Sequence, residues 1–349
     1  IRLMCNCKQG SFCCLAFFIF AFMKKILVLL FFLSKFASSQ EQIVKSVLLD
    51  SVTITGVKDG FDVDEFIHYV KTDTTFYMAF KHLRYYTHKY ESELNIFNKK
   101  EKKIGILNRW GTHFSDGKKA WVVDDSIHYE GKIFSRKIAR ILKKDIDSTS
   151  SFYAKISKIE NKYRYYTPDA FDEVFFPDDT IGVSLKISNG KNENESQNMR
   201  DAKTVGFSIG SDDTEQNKGG ASIKLAVFDI SMQQYYDYKI DTINYKERDC
   251  YIFLVEVKKD LSKKDLGEAL IRKIVSYFDK ENFNVIYREY VFSYQHWLID
   301  LDMQVIVNMD YFNSKHIPTD IYYKGSWNVP FLKPERADFR LNLKDYKVD

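Results

Sequence analysis

The sequence predicts a β-dominated α+β protein built on one large, curved antiparallel sheet, an open half-barrel with a few helices on one face. Aromatic residues make up 16% of the 349 residues, and Tyr and Phe favour the half-buried surface of a sheet. The segments 299–305 and 337–344 alternate apolar and polar residues. This period of two places one face of a strand against a core and the other face in water.

The overall composition is that of a globular protein. The chain is 45% hydrophobic and 29% charged, which is enough to build a sizeable core. It has only five prolines and no linker rich in Pro, Gly or Ser. We therefore expect a single β-rich domain over residues 40–349.

The charge balance argues against a nucleic-acid partner. The chain carries 52 basic and 48 acidic residues, but its first 39 residues hold five basic residues and no acidic one. The remainder therefore carries 47 basic against 48 acidic residues. A nucleic-acid binder normally has a basic surplus, so we expect none as a partner.

The N-terminal segment predicts export. Residues 23–39 combine a positively charged start, an apolar stretch and a small-x-small cleavage site before Gln40, which is the layout of a signal peptide. Residues 1–22 are interpreted as an upstream extension that is not native to the protein. The alternative is a retained membrane anchor over about 12–33, which would place two lysines near the middle of the bilayer.

Cysteine usage indicates the compartment. Four of the five cysteines precede Met23, and only Cys250 follows it. A single cysteine cannot form an internal disulfide, which suits a bacterial periplasm or outer membrane better than a eukaryotic secretory route. We interpret Cys250 as a small buried hydrophobe within a strand.

Hydrophobic periodicity and turn signals predict the elements of the exported part in order. Helices are expected at 66–83 in two pieces, capped by Asp62 or Asp64, at 132–144, and at 168–176 with Thr167 as its N-cap. Strands are expected at 46–56, 85–97, 104–110, 120–123, 155–166, 181–187, 205–209, 221–228, 235–240, 250–257 and in a meander from 274 to 346. The polar runs 188–203 and 211–220 are predicted surface loops.

Candidate catalytic groups are sparse. The seven histidines form no HExxH motif, no Cys/His cluster has zinc spacing, and there is no G-x-S-x-G, P-loop or G-x-G-x-x-G. We therefore expect no metal and no cofactor. The remaining enzymatic alternative is a hydrolase that uses Asp124 or Asp125 with His113 or His128, which neighbouring strands would bring together.

The candidate ligand site is aromatic. Aromatic side chains crowd two stretches of the C-terminal meander, and a curved sheet covered by helices can enclose an apolar pocket. The residues predicted to line it are Tyr287, Tyr290, Phe292, Trp297, Tyr322 and Trp327. The alternative is a filled sheet core with an aromatic rim and no ligand.

Two C-terminal stretches resemble a known family. In residues 275–285 a strand ends in the acidic turn Asp279-Lys280-Glu281-Asn282 and an apolar strand follows; in 317–327 Pro318 opens a strand that leads to Gly-Ser-Trp. This pattern, over about the last fifth of the chain, resembles the periplasmic lipoprotein carriers of the LolA/LolB type. The resemblance implies an unclosed antiparallel barrel with helices over its mouth, export by a signal peptide, and binding of acyl chains or another apolar ligand.

The exported chain is longer than a typical carrier of this type, so residues 132–220 would be additions. The leading prediction is a non-catalytic envelope protein that binds an apolar or lipidic ligand or chaperones envelope components, with membrane association through the envelope. The alternative is a surface scaffold that contacts other proteins. The sequence leaves the oligomeric state open.

Overall fold

A computed structural model describes residues 52–54, 62–72, 75–142, 162–176, 181–182, 227–295, 300–328 and 334–348. The predicted upstream extension, signal peptide and polar loops at 188–203 and 211–220 lie outside the described residues, as does Trp297.

The described part of the chain contains twelve strands and six helices. The strands are β1 (Val52–Ile54), β2 (Thr87–Phe97), β3 (Lys103–Ser115), β4 (Lys119–Gly131), β5 (Ile181–Gly182), β6 (Tyr236–Tyr245), β7 (Arg248–Val257), β8 (Ile271–Asp279), β9 (Val285–Gln295), β10 (Asp300–Phe312), β11 (Lys315–Asn328) and β12 (Glu335–Lys347). The helices are α1 (Val63–Thr72), α2 (Thr75–His82), α3 (Arg136–Leu142), α4 (Tyr166–Phe175), α5 (Ile230–Gln233) and α6 (Lys263–Leu266).

All twelve strands belong to one sheet, in the order β1-β6-β7-β8-β9-β10-β11-β12-β2-β3-β4-β5. The ten long strands pair antiparallel with their neighbours, whereas the short β1 lies parallel to β6. The outermost strands of this order do not pair with each other in the described chain, so the sheet is open. The predicted large, unclosed antiparallel sheet is confirmed.

Strand register builds a continuous core row across the sheet. One residue from each long strand faces the same side, in the spatial order Tyr238, Val255, Ile274, Tyr290, Val305, Tyr323, Phe339, Leu94, Leu107 and Tyr129. The first nine are at most 8% exposed. We call this side the inner face and the opposite side the outer face. The alternation that predicted the strands therefore also placed the core.

Helices cover the inner face. Phe66 of α1 makes ring contacts with Phe253 of β7 and Phe278 of β8, at centroid distances of 6.3 and 5.4 Å. Phe171 of α4 stacks on Phe339 of β12 at 4.2 Å. Because both helices pack on inner-face residues, the predicted placement of helices on one face of the sheet is confirmed.

Local capping and turn chemistry explain several boundaries. The carboxylate of Asp62 accepts a hydrogen bond from the Glu65 N–H at 2.9 Å, which confirms the predicted N-cap of α1. Between β3 and β4, Gly117 has a positive φ of 77° and the Asp116 carboxylate accepts the N–H groups of Lys118 and Lys119. These two bonds, with that of Lys119 first, lower the pKa of Asp116. The predicted Asp-Gly turn is confirmed.

One predicted cap is wrong. Thr167 does not precede α4: the helix begins at Tyr166, and its N-cap is Tyr165. The Thr167 N–H donates to the carboxylate of Glu335 at 2.8 Å, and its hydroxyl donates to the same oxygen. Glu335 is 3% exposed and lies 168 residues away in sequence. The Thr167 hydroxyl, which would act in an N-cap, is bonded instead to Glu335, a partner that the local sequence does not indicate.

Candidate functional site

The structure divides five of the six predicted ligand residues between two faces. Tyr290 and Phe292 lie on the inner face and are 3% and 5% exposed, and Trp327 lies there half-buried. Tyr287 and Tyr322 alternate onto the outer face, where both are half-buried. Trp297 is outside the described residues. The structure therefore brings three of the six together, and their role as ligand contacts stays a prediction.

The inner-face members continue into an apolar group on β9, β10 and β11. Phe292 pairs with Met303, and Leu301 pairs with Trp327. The Trp327 Nε1–H donates to the Tyr323 hydroxyl at 2.8 Å, which orients the indole along the strand. We call Phe292, Leu301, Met303 and Trp327 the apolar rim. Leu301 and Met303 are absent from the predicted site, although their alternation with Asp300 and Asp302 already marks them as core-facing.

Burial falls along this group. Val305 and Val307, further along β10, are 8% and 0% exposed, whereas Leu301 and Met303 are half-buried and pack against the core from its edge. Large apolar side chains that stay half-exposed on a core-facing surface are suited to contact a ligand.

The apolar rim lies between the regions that the two helices cover. The ring contacts of α1, through Phe66, are with β7, β8 and Phe283 in the turn after β8. Those of α4 are with β11 and β12, through Tyr323 and Phe339. In strand order β9 and β10 separate these two regions.

A glycine beside the apolar rim makes room for an aromatic ring. The Tyr323 ring lies over Gly325, and a Cβ at that glycine would overlap the tyrosine hydroxyl. The strand can therefore carry Tyr323 flat against its own backbone, with the hydroxyl in reach of Trp327. A substitution at Gly325 would displace the ring that supports the rim.

On the outer face, Tyr287 belongs to a separate aromatic cluster. Tyr287 stacks on Tyr277 at 4.5 Å, and Tyr245 contacts both rings at 5.1 and 5.6 Å. Burial, followed by the charge of Glu289, raises the pKa of Tyr287. Cross-strand aromatic pairs of this kind stabilise a sheet.

The outer face also carries a depression of about 460 Å³ over β9 to β12. Outer-face polar and charged residues line much of it, namely Asp302, Gln304, Lys324, Ser326, Arg336 and Asp338. Phe292 and Met303 of the apolar rim also belong to its lining. The polar and charged groups along this depression do not match the apolar cavity that the sequence predicts.

A buried charged network lies beneath α4. Arg109 of β3 is 3% exposed; its guanidinium donates to both oxygens of Asp124 at 2.9 and 2.8 Å and to Asp172 of α4 at 2.8 Å. Lys162 approaches the other Asp172 oxygen at 2.7 Å, and the Tyr90 hydroxyl donates to Asp124 at 2.6 Å. The network contains two basic and two acidic groups and joins α4 to the sheet.

Among the described residues, neither Asp124 nor Asp125 shares a hydrogen bond or ion pair with His113 or His128. Asp124 is held by Arg109 and Tyr90 on the inner face. His128 lies on the outer face, is exposed, and pairs with Glu130 at 3.1 Å. His113 is buried, and its ring stacks on His88 at 4.6 Å. No group of three or more His, Cys, Asp or Glu among the described residues is arranged to hold a metal ion.

Burial keeps both stacked histidines neutral. Desolvation, with the neighbouring His113 second, lowers the pKa of His88 to about 3. Desolvation likewise lowers the pKa of His113 to about 4, against the opposing effect of the Tyr86 carbonyl. A histidine with so low a pKa is a poor general base near neutral pH.

No helix among the described residues is long and apolar enough to cross a membrane.

Comparison with known proteins gives structural neighbours only. No protein-family model and no curated protein matches the chain. It is similar to a DUF1329 family protein from Desulfovibrio piger, with a TM-score of 0.20, 12% identity, and 80% of this chain and 94% of that chain covered. It is also similar to an outer membrane lipoprotein-sorting protein domain from Vibrio parahaemolyticus, with a TM-score of 0.22, 9% identity, and 76% and 88% covered.

A third neighbour is lipovitellin, in a structure described for its lipid–protein interactions, with a TM-score of 0.23, 9% identity, and 75% of this chain and 25% of that chain covered. A lipoprotein-sorting domain is thus among the solved structures similar to this chain, as the sequence resemblance predicted. TM-scores of this size carry no assignment of function, which has to rest on the residues of this chain.

Proposed function

We propose that this protein is an exported, non-catalytic envelope protein that binds an apolar or lipidic ligand, or chaperones envelope components, on the inner face of its sheet. The observation that carries the proposal is the apolar rim: Leu301, Met303 and Trp327 remain half-buried on a face where nine of the ten core-row residues are at most 8% exposed. Export is supported by the signal-peptide pattern at 23–39.

The chemistry of the rim supports an apolar ligand. Met and Trp present large, polarizable surfaces, and a thioether adapts its shape to irregular partners. The single polar group of Trp327 is already engaged by Tyr323. A ligand that contacts the rim would therefore gain mainly from burial of apolar surface.

A substitution at Leu301 tests the proposal. The purified protein should enhance the fluorescence of N-phenyl-1-naphthylamine, a neutral environment-sensitive dye. Leu301→Asn should weaken dye binding about tenfold, because part of the apolar contact is lost. The matched control is Ile306→Asn, which changes a half-buried residue of the same strand on the outer face and should leave dye affinity unchanged.

The proposal fails if the wild-type protein binds no dye and mass spectrometry of its organic extract finds no lipid. Equal losses for both variants would also count against it, because they would indicate a general weakening of β10 rather than a ligand contact.

A second candidate, a protein-interaction module, is favoured by an apolar patch on the outer face of β3 and β4. Phe114 stacks on Trp121 at 5.6 Å, Trp110 is half-buried, and Val123 is 43% exposed. Exposed aromatic clusters are frequent in interfaces. If this patch mediates self-association, sedimentation equilibrium should show an oligomer that Val123→Lys dissociates.

A further inference from the structure

Tyr236, the first residue of β6, has an unusual hydroxyl. The residue is 1% exposed, and its hydroxyl proton has no acceptor in the part of the chain that the structure describes. The Ile271 N–H lies near the phenol oxygen as a donor, which leaves the need for an acceptor unmet. Leaving a buried polar group unpaired is unfavourable, so folded proteins rarely do so without a reason. A ligand that supplies the missing partner is one such reason.

Strand register places Tyr236 at the same end of the inner face as the apolar rim. Tyr236 lies two residues before Tyr238 of the core row and opposite Val257. Across the next strands, Ile271 pairs with Phe292, and Phe292 pairs with Met303. The phenol and the rim therefore border one continuous strip of inner face.

The surroundings of the phenol favour an electron-rich partner. Arg272 occupies a bulge of β8, and its Nη1 donates to the carbonyls of Leu266 and Ala269 at 2.7 and 2.9 Å. Burial raises the pKa of Tyr236, whereas the Arg272 charge and the Ile271 N–H act in the opposite direction. Asp302 also interacts electrostatically with Arg272. The guanidinium is thus close enough to influence both the Tyr236 phenol and the Asp302 carboxylate.

We propose that Tyr236 is a polar anchor for the ligand: its hydroxyl donates a hydrogen bond to a carbonyl or carboxylate oxygen at the head of an acyl chain whose tail contacts the apolar rim. The inference rests on the proposed apolar-ligand function. A buried phenol in an apolar site donates to an acceptor oxygen and rejects a head group that has none, because its own proton would then remain unpaired.

The same strand provides a matched control. Tyr238 is 3% exposed, lies on the same face, and already donates its hydroxyl to the Val227 carbonyl. Tyr238→Phe should lower Tm by about 2–4 °C, because a buried carbonyl loses its donor. Tyr236→Phe should leave Tm unchanged or raise it, because it removes a hydroxyl whose proton has no acceptor among the described residues.

Competition binding tests the anchor. Dodecanoate, methyl dodecanoate and dodecane would each displace N-phenyl-1-naphthylamine from the full-length protein. Tyr236→Phe should weaken binding of the two acceptor-bearing compounds about 3- to 10-fold, the effect of one lost hydrogen bond. Affinity for dodecane and the dye should not change. Tyr238→Phe should leave all four affinities unchanged.

The outcomes separate the two proposals. If wild-type protein binds dye and dodecanoate but Tyr236→Phe binds dodecanoate equally well, the anchor is wrong and the apolar site stands. If Tyr236→Phe weakens all compounds equally, the residue shapes the site instead of recognising a head group, and the anchor is again wrong. If wild-type protein binds none of them, the proposed function itself fails.

Discussion

The inner face is covered by helices in two physically different ways. Under α4 a charged, directional contact is added to the ring contacts of Phe171, because Arg109 bridges Asp124 of the sheet to Asp172 of the helix. Under α1 the contact is aromatic: Phe66 meets Tyr251, Phe253, Phe278 and Phe283 at centroid distances of 5.4 to 6.3 Å. Hydrogen bonds require a narrow range of distances and angles, whereas ring contacts can persist when the side chains shift.

The contacts under α4 and α1 therefore differ in how well they tolerate a substituted side chain. A buried ion network tolerates no missing member, because the remaining charges are left without partners. An aromatic cluster loses only contact area when one ring is replaced by a similar volume. Substitutions in the contacts of α4 and of α1 test this difference.

The largest effect is expected at Arg109. Arg109→Met keeps much of the side-chain volume but leaves Asp124 and Asp172 without the guanidinium, so we expect a loss of about 3–5 kcal/mol in the free energy of unfolding. Urea denaturation measures it. The matched control is Arg340→Met, an exposed arginine paired with Asp320, which should cost no more than about 1 kcal/mol. Equal losses would contradict the distinction.

Mild acid should destabilise the protein, because His88 and His113 are buried in the sheet. His88 and His113 have folded-state pKa values of about 3 and about 4, below the ordinary value near 6.5. The unfolded chain therefore binds more protons below about pH 6.5, and stability present above that pH is lost as pH falls toward 4. At pH 5 the loss is about 2 kcal/mol per histidine.

Urea unfolding between pH 8 and pH 4.5 measures this dependence. His113→Asn should reduce the slope of stability against pH by about half, whatever its effect on stability at pH 8. His128→Gln should leave the slope unchanged, because His128 is exposed. A slope that is the same in wild type and His113→Asn would show that the buried pair does not control acid stability.

The smallest effect is expected under α1. Phe66→Leu replaces an aromatic ring by a smaller apolar side chain in a cluster of other rings, and we expect a loss of about 1–1.5 kcal/mol by urea denaturation. Phe66→Asp, which buries a charge at the same point, should unfold the protein. If Phe66→Leu cost as much as Arg109→Met, the α1 contact would be as strictly specified as the α4 network.

Much of the fold was predictable because its evidence is local. Alternation along β10 and β12 predicted which side chains face the core, and Phe339 and Leu341 are indeed 2% and 1% exposed. Asp116-Gly117 predicted the turn between β3 and β4, and Asp62 predicted the start of α1. Each of these signals acts within a few residues, so no knowledge of the tertiary structure was needed.

The site was predicted less completely. Aromatic crowding selected Tyr290, Phe292 and Trp327, but it also selected Tyr287 and Tyr322, because composition does not record the face of a strand. Leu301 and Met303 were missed because aromatic crowding gives no signal for aliphatic neighbours. Tyr236 carried no sequence signal, because the sequence does not show that its hydroxyl proton has no acceptor among the described residues.

By itself the sequence determined the class of fold, the pairing of its hairpins and the identity of the core face, because period-two alternation and turn chemistry are properties of neighbouring residues. The tertiary structure alone decided that Arg109, Asp124 and Asp172 form one network, that Thr167 bonds to Glu335, and that Tyr236 lies at the same end of the inner face as the apolar rim. These contacts join residues far apart in the chain, and they exist only once strand order and register are set.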